Sequence, residues 1–205
     1  MNRLLQWPLW LALAVTLVAG CDLRSGGSAA QFHGIDLTGA DYAKNLSLTD
    51  QNGQPRTLGD FKGKVTVVFF GYTQCPDVCP ATMAEMAEVK RALGKDGDRL
   101  QVVFVTVDPE RDTAALLKNY MAGFDPSFIA LRGTPEQTRD VAKDFKVFYA
   151  KVPGKDPASY TMDHTAASYV FDANGRIRLF EGYKLGPQAL TEDIRRIQAD
   201  TATTH

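Results

Sequence analysis

Two cysteines with three residues between them, Cys75 and Cys79, stand in the stretch GYTQCPDVCP at residues 71–80. Deprotonated, such a pair has two uses: attack on a disulfide, or capture of a soft metal ion. An apolar, β-branched run at residues 65–70 leads in and a helix-forming run at residues 81–93 leads out, so the pair falls on a strand-to-helix turn. Pro80 suits the first helical position, which makes Cys79 the residue just before the helix. The partial positive charge of a helix N-terminus favours thiolate over thiol there. The plainer alternative is a pair of buried core cysteines or a structural disulfide.

One imidazole can complete a three-ligand set. His164 follows Asp163 about 85 residues beyond Cys79, so only the fold can bring it to the cysteines. Taken alone it reads more readily as an ordinary polar residue than as a ligand. Two thiolates and one imidazole in a trigonal arrangement suit Cu(I) well, whereas zinc ordinarily takes a fourth ligand or a water. Met83 and Met86 offer soft sulfur nearby, but with Val89 and Leu93 they recur every three or four residues, the pattern of a core face. The C-x-x-x-C spacing is wider than the C-x-x-C of redox proteins. It gives room to chelate and does not forbid a disulfide. His33 and His205 belong to no comparable pattern.

The elements that must position these groups follow from periodicity and turn chemistry. Residues 46–58 read as a hairpin about Asn52-Gly53. The runs at residues 65–70 and 100–108 are continuously apolar, as in parallel strands covered on both faces. Asp112 or Thr113 caps a helix through Tyr120, with Leu116, Leu117 and Tyr120 inward. A short strand follows at residues 128–131. Thr134-Pro135-Glu136-Gln137 opens a helix with a capping box that runs to about Phe145. Residues 146–162, with Pro153, Gly154 and Pro157, form a long connection ending at Asp163-His164. A strand at 167–171, a turn at Asn174-Gly175, a strand at 176–181 and a helix at 187–198 complete the chain. This order predicts an α/β thioredoxin-like fold with an added N-terminal β-hairpin and a long insertion before the last hairpin.

Composition narrows the setting. The 205 residues carry 23 basic and 24 acidic side chains, with no basic run of the kind that binds nucleic acid. Residues 1–20 have one charge, Arg3, then an apolar stretch and small residues before Cys21: a secretory signal. The tetrapeptide Val18-Ala19-Gly20-Cys21 resembles a bacterial lipobox, in which the cysteine becomes the lipid-modified N-terminus. Asp22 resembles a signal for retention at the inner membrane. An uncleaved N-terminal anchor is the alternative. Residues 21–41, with Ser25, Gly26, Gly27 and Ser28, read as a tether, and residues 42–200 as the folded domain. Outside the cytoplasm a free cysteine pair oxidises unless a partner reduces it.

Several stretches together resemble one family. FHGIDLTGADY (residues 32–42), LTDQNGQPRTLGDFKGK (48–64), FFGYTQCPDVCP (69–80), TVDPERDT (106–113) and DHTAASYVFDANG (163–175) are similar to the Sco/SenC proteins, copper-binding proteins of thioredoxin fold. The resemblance covers roughly residues 32–198. It implies that Cys75, Cys79 and His164 are copper ligands. It also implies a role at the dinuclear copper site of cytochrome c oxidase, either delivering copper or reducing the site's thiols. Ala114, where the family often has proline, and Thr165, where serine is common, touch no ligand. The partner the resemblance implies is the copper-site subunit of the oxidase; an oxidising periplasm adds the expectation of a thiol reductant and a copper donor, and the lipobox-like segment that of an inner-membrane lipid anchor holding the domain in the periplasm.

Three activities compete. A membrane-tethered chaperone would hold Cu(I) on Cys75, Cys79 and His164 and pass it on by ligand exchange. A thiol–disulfide oxidoreductase would use Cys75 and Cys79 and leave His164 dispensable. A peroxidase of the same fold would need an arginine beside the cysteine, which only a distant residue such as Arg132 could supply. Asp77 and Asp163 flank the ligands and either orient them or stabilise turns. The DPERD segment is either a docking surface or loop and capping chemistry.

Overall fold

The computed structural model describes residues 32–202 except Pro157, Ala158 and Lys184. The signal segment, Cys21, the first part of the tether and His205 lie outside the described residues. In chain order the strands are β1 (Ile35–Asp36), β2 (Ser47–Asp50), β3 (Pro55–Thr57), β4 (Val65–Gly71), β5 (Leu100–Thr106), β6 (Ile129–Arg132), β7 (Tyr149–Pro153), β8 (Tyr160–His164), β9 (Ala167–Phe171) and β10 (Ile177–Gly182). The helices are α1 (Val78–Leu93), α2 (Ala114–Ala122), α3 (Pro135–Asp144) and α4 (Pro187–Ala202). No helix among the described residues is long and apolar enough to cross a membrane.

The continuous apolar runs become the middle of the sheet. Every residue of β4, β5 and β9 is buried. β4 and β5 pair in parallel from Val65 opposite Leu100 to Gly71 opposite Thr106. The full order is β1-β10-β9-β4-β5-β6-β2-β3, with β6 parallel to β5 and with β9, β10 and β2 antiparallel to their neighbours. This is the thioredoxin-like α/β architecture. Helices cover both faces, which is why strands without polar alternation are tolerated. On one side α1 packs on α4, whose Leu190, Ile194 and Ile197 are buried as their spacing predicts. An aromatic cluster of Phe70, Phe145, Tyr169 and Phe171, rings edge-on or tilted 5.2–6.3 Å apart, fills the centre of the core.

Local signals set most element ends. Thr134 caps α3 with a reciprocal Gln137 bond and Pro135 at the helix start. Thr113 caps α2 by accepting the Leu116 N–H at 3.2 Å. Leu117 is buried as expected, but Leu116 is 39% exposed, because the nine-residue helix presents only a narrow face to the core. The β2–β3 hairpin turns at Gly53, whose φ of +83° glycine adopts without strain.

Three expectations are corrected. The stretch from Phe32 to Asp41, read as the end of the tether, belongs to the fold. Ile35 and Asp36 pair with β10, and the Asp193 carboxylate accepts the His33 and Gly34 N–H groups at 2.8 and 2.9 Å. A two-residue strand is too short to show periodicity, and its acceptor lies 160 residues away. Secondly, the long connection contains paired strands: β7 and β8 make a separate antiparallel pair, Tyr149 opposite His164. Thirdly, α1 begins at Val78, after Asp77, so Cys79 is the second helical residue rather than the one before the helix.

Candidate metal centre

The cysteine turn grows out of the end of β4. The Cys75 N–H donates to the Tyr72 carbonyl at 3.3 Å, closing a tight turn, and the Cys79 N–H donates to the Cys75 sulfur at 3.4 Å. Both cysteines are free thiols, Cys75 half-buried and Cys79 fully buried. Gly71 makes that burial possible. A Cβ at this position would sit 2.8 Å from the Cys79 sulfur and 2.9 Å from the rings of Phe69 and Phe104.

His164 arrives as the last residue of β8. Its ring stands edge-on to Phe69 and Tyr72, centroids 5.9 and 6.0 Å away. Nδ1 lies 3.1 Å from the Thr165 carbonyl, so Nδ1–H donates there and Nε2 keeps its lone pair. Nε2 points at the Cys79 sulfur, 3.4 Å off. The two sulfurs and an imidazole nitrogen all lie within 4.8 Å of one another, a spacing that can hold a metal ion. Cys75 and His164 open onto a cleft of about 440 Å³, lined also by Val78, Phe148, Met162 and Asp163.

The electrostatics differ from the simple helix-terminus picture. Burial pushes the Cys79 thiol well above its ordinary range, with the neighbouring Cys75 adding to it, so burial outweighs the helix terminus and Cys79 is a thiol without a metal. Burial lowers the His164 pKa, opposed by the Thr165 carbonyl and the Asp163 charge. The imidazole is therefore held neutral near pH 7, the form that ligates metals.

The segment from Asp108 to Thr113 turns out to brace the site. Asp112, fully buried, accepts from the Thr73 N–H at 3.1 Å and from the Thr73 and Thr106 hydroxyls at 2.5 Å each. This fixes the start of the cysteine turn. Arg111 pairs with buried Asp108 and reaches both Gln74 and Tyr160. Sequence reasoning offered a docking surface or loop and capping chemistry here, and Thr113 does supply a cap. It missed the roles of Arg111 and Tyr160 and gave Asp112 only as a candidate helix cap; the one legible sign was the density of charge beside a buried strand end.

Other candidates fall elsewhere. Met83 and Met86 are core residues, fully buried under the sheet. Arg132 donates to the Pro109 carbonyl at 2.9 Å. Asp163 lies exposed on the hairpin opposite Ala150, and the Thr165 carbonyl rather than Asp163 takes the His164 N–H. Asp77 is exposed and serves the helix start through its carbonyl, which accepts from Ala81 at 3.1 Å. His33 pairs with Glu192 at 2.9 Å.

Comparison with known proteins places the chain in one family. A SCO2-like protein of Rickettsia conorii is 39% identical over 152 residues, 74% of each chain. The mitochondrial SCO2 homolog of Mus musculus is 35% identical over 154 residues, covering 74% of this chain and 60% of its own. The chain thus spans about three fifths to three quarters of the length of these relatives. The copper-bound structure of Bradyrhizobium japonicum ScoI superposes with a TM-score of 0.68 at 44% identity, covering 80% of this chain and 98% of that one. Apo Sco1 of Thermus thermophilus gives 0.74 at 36%, covering 83% and 99%. The SCO1/SenC family profile matches residues 36–199, and the chain belongs to that family.

Proposed function

We propose that this protein is a membrane-tethered copper carrier that holds Cu(I) between Cys75, Cys79 and His164 and assists assembly of the dinuclear copper site of cytochrome c oxidase. The observation that carries this reading is the convergence of two sulfurs and one imidazole nitrogen within 4.8 Å. The donor set fits: thiolate is soft, imidazole suits copper, and the cleft supplies no ring of carboxylates for a hard cation. The copper-bound ScoI and Arabidopsis thaliana relatives support the choice of metal.

Loading requires Cys79 to lose its proton against its burial, and the neutral His164 offers its Nε2 lone pair to the incoming ion. Hand-over proceeds through Cys75, because Cys79 is closed to solvent. An incoming thiolate or imidazole of the acceptor enters the cleft at Cys75, and His164 and Cys79 release afterwards. The lipobox-like Val18–Cys21 and the description of a Bacillus anthracis relative as a lipoprotein support a lipid anchor at Cys21, which this reading places at the inner membrane with the domain in the periplasm. There, a copper donor and a thiol reductant are needed to load and maintain the site.

The test is a Cu(I) competition titration of the reduced full-length chain in detergent beside His164→Ala. One equivalent held tightly by the parent and on the order of tenfold or more weakly by the variant supports the three-ligand site. Equal binding by both overturns it.

The free state of both thiols favours one second reading, a thiol–disulfide oxidoreductase. Cys75 thiolate would attack a partner disulfide and Cys79 would resolve the mixed disulfide. Two electrons pass to the partner, whose two sulfurs leave as thiols, and a Cys75–Cys79 disulfide remains. Full reductase turnover in Cys75→Ser or Cys79→Ser excludes this route.

A further inference from the structure

His164 is carried by an arm rather than by the main sheet. β7 and β8 pair only with each other among the described strands, and His164 is the last residue of the pair. The distance from His164 to the cysteines therefore depends on what fastens that arm to the body.

The fastening converges on Arg111. Its guanidinium lies 3.5 Å from the centre of the Tyr160 ring, and its Nη1 donates to the Tyr160 carbonyl at 2.9 Å. Tyr160 begins the strand that ends at His164. The Arg111 Nε–H donates to Asp108, which is 1% exposed and also accepts the Tyr160 hydroxyl at 2.9 Å. On its other side Nη1 donates to Gln74 Oε1 at 3.2 Å, one residue before Cys75. A third tie on the same arm runs from Lys151 to Glu110 at 2.6 Å, but both side chains are about half exposed, so water competes for it.

We propose that Arg111 is a positioning residue for the metal centre, bridging the cysteine turn to the β7–β8 arm and thereby setting His164 over Cys79. The inference rests on the three-residue site proposed above. Its chemistry is specific to arginine. A planar fork can stack on Tyr160 while donating to a carboxylate, a carbonyl and an amide oxygen at fixed angles; a lysine ammonium at this place keeps the charge but cannot do all four. The cysteine turn has its own brace in Asp112, whereas Arg111 reaches both the turn, at Gln74, and the arm, at Tyr160.

A double-mutant cycle on the full-length chain tests this. Cu(I) affinity is measured by chelator competition for the parent, Arg111→Lys, His164→Ala and the double variant. X-ray absorption of the Cu(I)-loaded parent and Arg111→Lys reads whether nitrogen remains bound. Arg111→Lys is expected to weaken binding on the order of tenfold when His164 is present, to change it less than about twofold when His164 is absent, and to lose nitrogen ligation. Tyr160→Leu, which removes the stacked ring from the other side, should give the same pattern and serves if Arg111→Lys does not fold. Equal losses with and without His164, or no loss in either, overturn the proposal. If His164→Ala itself binds as the parent does, the three-ligand reading fails instead, a separate result.

Discussion

The Cys79 sulfur lies 3.4 Å from His164 Nε2, across 85 residues of sequence. One belongs to the first turn of α1 and is closed to solvent; the other ends a two-stranded arm at the edge of a cleft. The asymmetry makes the site directional. Everything that enters or leaves meets Cys75 and His164 first, and Cys79 is the anchored end.

Chemical reactivity should reveal that direction. Alkylation of the reduced protein with iodoacetamide, read by peptide mapping, is expected to label Cys75 well before Cys79, because Cys79 is both fully buried and held protonated. One equivalent of Cu(I) should protect both. Faster labelling of Cys79 would contradict the geometry of the turn.

Gly71 is the tightest point of the scaffold. Gly71→Ala places a methyl 2.8 Å from the Cys79 sulfur, with two aromatic rings closing the other sides. The sulfur or the rings must move. The expected cost is about 1–3 kcal/mol of stability, together with weaker Cu(I) binding. Thermal unfolding and chelator competition measure the two effects. A variant that keeps both parental values would show that the site has slack where none is visible.

Asp112 offers a second structural test. Asp112→Ala leaves the Thr73 N–H and two threonine hydroxyls without their acceptor in a closed environment. Stranding buried donors costs about 1–3 kcal/mol each where they cannot turn to another partner, and hydroxyls can rotate, so a total loss of about 2–4 kcal/mol is expected. Chemical denaturation measures it, and a loss below about 1 kcal/mol would remove Asp112 as the brace of the turn.

These residues mark where sequence reading succeeds and where it stops. The strands β4 and β5, the caps at Thr113 and Thr134 and the core stripe of Met83, Met86, Val89 and Leu93 are local facts, written in periodicity and capping chemistry. Cys75 and Cys79 are legible because their spacing and their strand-to-helix setting are local too. Three features needed the fold. The start of α1 shifted because Pro80 is tolerated anywhere in a first turn, so it fixed the helix only to within two residues. The β7–β8 arm was hidden because its exposed, Pro- and Gly-containing sequence lacks the buried alternation that marks a strand. The network of Arg111, Asp108 and Tyr160 joins residues about 50 positions apart, and charge density alone does not tell a half-buried arginine clamp from an exposed loop.

The last prediction concerns a charge the metal centre does not use. Glu181, 3% exposed, presses its carboxyl against Gly34 and lies beside Asp193, while no hydrogen-bond donor among the described residues reaches either oxygen. Burial first, then the Asp193 charge, pushes its pKa up to about 8. A carboxyl raised in the folded state binds a proton there that the unfolded chain has already lost. Its contribution to stability is therefore complete below the unfolded value near 4.5 and declines as pH rises through about 8. Above that, a second negative charge sits beside Asp193, the residue that holds the His33 and Gly34 backbone and so β1. Thermal midpoints of the parent should fall between pH 5 and 9 relative to those of Glu181→Gln, whose neutral amide cannot ionise. The difference between the two curves isolates Glu181, since other titrating groups are common to both. Parallel curves would mean that Glu181 does not take up an extra proton on folding in this range.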